Sequence, residues 1–489
     1  MSDDRARTGI AGLDTILCGG LPRDRIYLVD GDPGVGKTTV ALQFLLSGAE
    51  RGERGLYITL SESESEVRQI ASSHGWSIDE VALFELSALE QQMRIESQNS
   101  IFRPSDVELT ETTRAVLGFV DKVRPDRVVF DSLSELRLLA QSPLRYRREV
   151  LNLKQYFSGK RSTVLLLDDR TSEPGDMQLQ SLAHGVISMQ QLAPDYGGDR
   201  RRLRIAKLRG AAFVGGYHDF AIRRGGIEVY PRLVAADHHV PYERGAVSSG
   251  VTALDSMLGG GLTRGTSTLL MGPAGAGKSI IASLYAVAAA RRGERAIILA
   301  FDELRRTTIE RADALGMDMS THVAAGRIVV QQVDPAELSP GELGHILCKQ
   351  VESHGATFLV VDSLNGYMQA MPAEKYLYVQ LHELLTYFGQ RGVTTVMTLA
   401  QHGISGGSGP AEVSYIADCV LLVRYFEVGG RVRKAISVIK KRTGVHEDTI
   451  RELTVDSRGV TIGDPLVDFR GVLTTAPEFH GDRTRLDGR

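Results

Sequence analysis

The sequence predicts an α/β fold built twice over. It implies two tandem domains, each a mostly parallel twisted sheet flanked by helices and organised around a phosphate-binding loop. Three observations carry this reading. The pattern Gly-x4-Gly-Lys-Ser/Thr occurs at Gly272 to Ser279 and again at Gly31 to Thr38. Each copy follows an apolar, β-prone run and precedes a stretch that reads as a helix, Ala-rich and without Pro or Gly from Ile280 to Arg292 in the second. Four sequence blocks then recur in the same order in the two halves.

The first block, from Thr8, is TGIAGLDTILCGGLPRDRIYLVDGDPGVGKTT, matched from Ser248 by SSGVTALDSMLGGGLTRGTSTLLMGPAGAGKSI. The first loop comprises Gly31, Asp32, Pro33, Gly34, Val35, Gly36, Lys37 and Thr38, followed by Thr39. The second comprises Gly272, Pro273, Ala274, Gly275, Ala276, Gly277, Lys278 and Ser279, followed by Ile280. Glycines let such a loop curl so that backbone N–H groups face nucleotide phosphates. The lysine reaches the β/γ oxygens and the terminal hydroxyl ligates magnesium. Two copies in context predict two ATP sites.

The second block pairs GLYITLSESE (from Gly55) with RAIILAFDEL (from Arg295), apolar strands ending in acidic residues. Asp302 and Glu303 form a carboxylate pair that can orient or deprotonate an attacking water or hydroxyl. Ser61 and Glu62 match them in the first half, which leaves one carboxylate. The bland alternative, a solvated acidic loop, is strongest there because the run reads SESESE.

In the third block DRVVFDSLSEL (from Asp126) matches TFLVVDSLNGY (from Thr357). Asp131 and Asp362 end fully apolar strands, where a carboxylate sits at the sheet's C-terminal edge and can hold magnesium through water. A helix N-cap is the structural alternative. The fourth block pairs RRLRIAKLRG (from Arg201) with RKAISVIKKRTG (from Arg433). Lys207 with Arg209, and Lys440 with Arg442, alternate on predicted strands and so project to one face. Their recurrence in step with the phosphate loops favours a role in neutralising γ-phosphate charge in trans over a solvated strand face. The offset between copies runs from 241 residues at the loops to 231 at the aspartates, a drift carried by the connections.

Composition bounds the rest. With 489 residues, 42% hydrophobic and 24% charged, the chain reads as an ordinary globular protein of two or three domains. A net charge of -3 and a single Trp argue against a nucleic-acid partner. The three cysteines, Cys18, Cys348 and Cys419, have no metal spacing. Without an apolar leader or a membrane-length run, the expected location is cytoplasmic. The expected boundaries are residues 1–232 and 247–475 for the two domains, with a linker at 233–246 and a flexible tail at 476–489.

These blocks resemble the KaiC family, the double-domain RecA-like ATPases of the cyanobacterial circadian clock and their bacterial and archaeal relatives. The resemblance covers nearly the whole chain and extends to FRGVLTTAP from Phe469. It implies tandem RecA-like domains, a homohexamer with nucleotide between neighbours in two stacked tiers, and ATP with magnesium as cofactors. It further implies ATP hydrolysis in the first tier, autokinase and autophosphatase activity in the second, and a KaiB-like or other signalling partner. The family's two acceptor hydroxyls align with Ser414 and Tyr415, after a glycine-rich loop, and its following aspartate with Asp418. Its second-tier glutamate pair aligns with Asp302 and Glu303, and its trans residues with Lys440 and Arg442. Tyr415 replaces a threonine, Asp302 is one methylene short, and Ser61 lacks a carboxylate. Two other readings compete: a RecA/RadA-like DNA-dependent ATPase, and a nucleotide-gated signalling scaffold without kinase activity.

Overall fold

The computed structural model describes residues 4–86, 105–140, 142–169, 178–194, 197–334, 336–369, 377–400, 414–472 and 478–480. The glycine-rich stretch 403–413 and all of the expected tail except 478–480 lie outside them. The chain divides into two compact units, Met1–Arg232 and Leu233–Arg489.

In the first unit nine strands form one sheet: β1 (Ile26–Gly31), β2 (Gly55–Thr59), β3 (Val81–Glu85), β4 (Arg127–Asp131), β5 (Thr163–Asp169), β6 (Gly185–Leu192), β7 (Arg200–Leu208), β8 (His218–Arg223) and β9 (Gly226–Tyr230). Their order across the sheet is β3-β2-β4-β5-β1-β6-β7-β8-β9. The pairs from β3 to β6 are parallel and those from β6 to β9 antiparallel. The central parallel strands are mostly apolar because both faces are covered, as such sheets require. Tyr27, Val29, Tyr57 and Val129 face α1 (Lys37–Ala49), while Leu28, Ile58, Val128 and Phe130 face α2 (Ser105–Val123) and α3 (Pro143–Ser158).

The second unit repeats this order with β10 (Ser267–Gly272), β11 (Ala296–Ala300), β12 (Ile328–Gln332), β13 (Phe358–Asp362), β14 (Thr394–Ala400), β15 (Cys419–Val428), β16 (Arg431–Lys441), β17 (Arg451–Asp456) and β18 (Gly459–Pro465). The order is β12-β11-β13-β14-β10-β15-β16-β17-β18, the same permutation. Helix α4 (Lys278–Arg291) covers one face, and α5 (Pro340–His354) with α6 (Leu377–Gln390) the other. Two tandem, mostly parallel α/β sheets are therefore the architecture. The stretch expected as a linker belongs to the second unit, where Ala235 is buried and the His238 ring meets Tyr387 edge-on. Among the described residues no helix is long and apolar enough to cross a membrane.

Candidate nucleotide sites

Strands β1 and β10 each stand where the sheet order reverses, flanked by a parallel strand on either side. Ligands bind α/β sheets there, outside the carboxyl ends of the strands. Both glycine loops emerge at this point. Gly36 and Gly277 cap the following helices at φ 108° and 109°, a left-handed backbone that only glycine adopts without strain. Gly272 also lies at positive φ, and a Cβ there would stand 2.2 Å from the Val423 carbonyl oxygen.

Lys37 and Lys278 fold back over their loops. Lys37 Nζ donates to the carbonyls of Gly31 (3.0 Å) and Asp32 (2.8 Å), and Lys278 Nζ to those of Gly272 (2.9 Å) and Pro273 (2.8 Å). Val35 and Ala276 are fully buried and anchor the loops, while Thr39 is buried and Ile280 half-buried on the helices behind them. Burial lowers the Lys278 pKa, against the opposing pull of Asp362.

The aspartates at the ends of β4 and β13 come to the loop hydroxyls. Thr38 Oγ1 donates to Asp131 Oδ2 at 2.9 Å and Ser279 Oγ to Asp362 Oδ1 at 3.0 Å. Each aspartate has a second hydroxyl donor: Tyr57 for Asp131, and Thr398 at 2.5 Å for Asp362. Burial pushes both carboxyls above the usual range, while these hydroxyls pull them down. Tyr57 and Thr398 left no signal in the sequence, since their contacts depend on sheet register (β2 beside β4, β14 beside β13).

The acidic strand ends differ between units. Glu303 pairs with Arg311 and accepts from Thr308 Oγ1 at 3.4 Å, and Asp302 accepts from Ser363 Oγ. In the first unit the position equivalent to Arg311 is Ile70, so Glu62 lacks that cation. Among the described residues its buried Oε2 has no hydrogen-bond partner. Burial, followed by the charges of Asp131, Glu66 and Asp169, raises its pKa. Ser61 is exposed and Ser63 caps the following helix, with Glu66 reaching back to the Ser63 N–H at 2.8 Å.

Two further acids stand at the end of β5 and were not singled out from the sequence. Asp169 Oδ1 lies 2.6 Å from Lys37 Nζ, and Asp168 Oδ2 2.8 Å from Arg137. The run LLLDD that ends β5 is the same kind of signal that drew attention to Asp131.

A sequence model of the family described as the ATPase KaiC matches residues 6–234 and again 247–467. The chain belongs to the KaiC ATPase family. It is 27% identical to the circadian clock oscillator protein KaiC of Synechococcus elongatus over 490 residues, covering 97% of this chain and 92% of that relative. It is 26% identical to the circadian clock protein KaiC3 of Synechocystis sp. over 502 residues, covering 99% and 97%. As a KaiC-type ATPase it has two RecA-like units and binds nucleotide.

The basic pairs of this KaiC-family chain have partners within their own units. Lys207 Nζ donates to the carbonyls of Gln180 (2.7 Å) and Ser181 (3.2 Å), and Arg209 to that of Ser181 (3.1 Å). Lys440 Nζ donates to those of Ser414 (3.0 Å) and Ala417 (2.7 Å), and Arg442 to that of Tyr415 (2.8 Å) and to Asp418 Oδ1 (3.2 Å). Asp418 in turn accepts from the Ser267 N–H and hydroxyl, each at 3.0 Å, which ties this turn to the start of β10. Each pair thus holds the turn that leads into the last parallel strand. Arg209 and Arg442 lie one residue past their strands rather than on them. A bulge sets each lysine's direction: Val186 faces Lys207 but Ile187 faces Ile205, and Val420 faces Lys440 but Leu421 faces Val438. Tyr415 is 77% exposed beside Ser414.

Proposed function

We propose that this KaiC-family ATPase is a cytoplasmic homohexamer in which the first unit hydrolyses ATP and the second transfers the γ-phosphate to Ser414. The two hydroxyl–carboxylate pairs, Thr38 with Asp131 and Ser279 with Asp362, suit a magnesium ion, which prefers hard oxygen donors and retains several waters. When bound with ATP, the ion would neutralise charge on the β and γ phosphates. Glu62 is the first unit's base: its raised pKa and uncommitted oxygen let it take a proton from an attacking water. In the second unit Asp302 or Glu303 would serve the acceptor hydroxyl after leaving Ser363 or Arg311.

The observation that carries the kinase reading is the turn bearing Ser414 and Tyr415, held by the same two residues, Lys440 and Arg442, that a neighbouring subunit's nucleotide would attract. Incubation with γ-labelled ATP followed by mass spectrometry tests it. Phosphate on Ser414, lost in Ser414→Ala, is the expected result, and an unlabelled protein that still hydrolyses ATP overturns it. A scaffold that switches with nucleotide, working through a KaiB-like or other signalling protein, is the second reading. It draws on the commitment of both Asp302 and Glu303 to partners in their own unit.

A further inference from the structure

Among the described residues, the two phosphate-loop lysines differ in their partners. Lys37 Nζ has all three of its donors engaged: two by loop carbonyls, and the third by Asp169 Oδ1 at 2.6 Å. The ion pair is mostly sheltered, with the lysine side chain 8% exposed and the aspartate 28%. Ser134 Oγ, 3.2 Å from Asp169 Oδ2, helps to hold the carboxylate in place. Asp169 lies opposite Gly31, the first residue of the loop, in the parallel register of β1 and β5. In the second unit the residue opposite Gly272 is Ala400, and Lys278 has no acid paired with it among the described residues.

We propose that Asp169 stands in for a terminal phosphate on Lys37 and biases the first site toward nucleoside diphosphate over triphosphate. The proposal rests on the reading of the first loop as a nucleotide site. A phosphate-loop lysine serves β and γ oxygens together. With a diphosphate bound, Lys37 can turn one donor to the β-phosphate and keep Asp169 on another, so the carboxylate completes what the missing γ-phosphate leaves open. A triphosphate brings γ oxygens to the same donor. It must either displace Asp169 from Lys37 and Ser134 or place two negative groups side by side in a partly sheltered site, where like charges repel far more than in water. Glu62 and Asp131 already load the same end of the sheet with negative charge, and Asp169 contributes to raising both of their pKa values. The second site, with Ala400, carries no such bias.

The test uses the full chain with Lys278→Ala, so that the first site alone binds. Displacement of fluorescent ADP by ADP and by adenylyl imidodiphosphate, each with magnesium, gives the affinity ratio. Asp169→Asn should shift that ratio toward the triphosphate by about tenfold. In the reciprocal protein, Lys37→Ala with Ala400→Asp, the second site should shift toward the diphosphate, and this arm decides the matter if Asp169→Asn does not fold. A ratio unmoved in either folded variant overturns the proposal. A Lys278→Ala protein that binds neither nucleotide would instead sink the reading of the first loop as a nucleotide site, and Asp169's role with it.

Discussion

Two carboxyls near the first loop, half-buried Glu62 and buried Asp168, have measurable signatures. Glu62→Gln keeps the shape and removes the base. In a Lys278→Ala background, phosphate release should fall roughly a hundredfold or more while nucleotide affinity holds. Unchanged turnover would place the base elsewhere. Burial, together with the charges of Asp169 and Asp30, pushes Asp168 up to about 6, and Arg137 opposes this without reversing it. Its folded pKa thus exceeds its unfolded value of 3.8. The stability that this group contributes is present in full below the unfolded pKa and is lost as pH rises through about 6. Asp168→Asn does not titrate, so its melting temperature should rise relative to that of the parent between about pH 4 and pH 7, the full effect being of order 3 kcal/mol. A difference that stays flat across that range would show that the Arg137 pair outweighs burial.

At the scale of elements, the turns held by the basic pairs give the next expectation. Lys440→Ala removes the donor shared by the carbonyls of Ser414 and Ala417. Hydrogen exchange of the amides around Asp418 should then quicken, as it should around Ala183 in Lys207→Ala. Exchange that stays slow would mean that Arg442, with the hydroxyl and N–H of Ser267 through Asp418, holds the turn without Lys440. The strands, loops and helices around each phosphate site were legible because each obeys a local rule: an apolar run, a glycine pattern, a breaker-free helix. The position of the aspartates of β4 and β13 was legible as well, since each closes an apolar run at the carboxyl end of its strand. What escaped was pairing across the sheet. Tyr57 meets Asp131 over 74 positions of sequence, and the bulges that precede Lys207 and Lys440 leave no mark on composition. The basic pairs were found by recurrence, but only three dimensions reveal the carbonyls they hold.

For the whole molecule, two units with one topology but different acids predict unequal sites. Lys37→Ala should cripple assembly or basal hydrolysis, whereas Lys278→Ala should abolish self-phosphorylation and spare part of the hydrolysis. Identical phenotypes would show that the two units do not divide the labour. Light scattering with ATP and magnesium should report a mass near six times 53.3 kDa. A monomer there would leave the basic pairs with only their roles inside each unit.

The bulge in each sheet has a genetic consequence. Ala206 and Ile439 are the extra residues, each unopposed on the neighbouring strand. They act as a phase step: without them the alternation of faces would run on and carry the lysine to the other side of the sheet. Deleting either residue should therefore do more harm than replacing it, because substitution preserves the count while deletion reverses which way the following side chains point. Ile439, half-exposed, should tolerate Thr, Val or Lys. Its deletion, with no functional group lost, should free the Ser414 turn as completely as removing Lys440 itself.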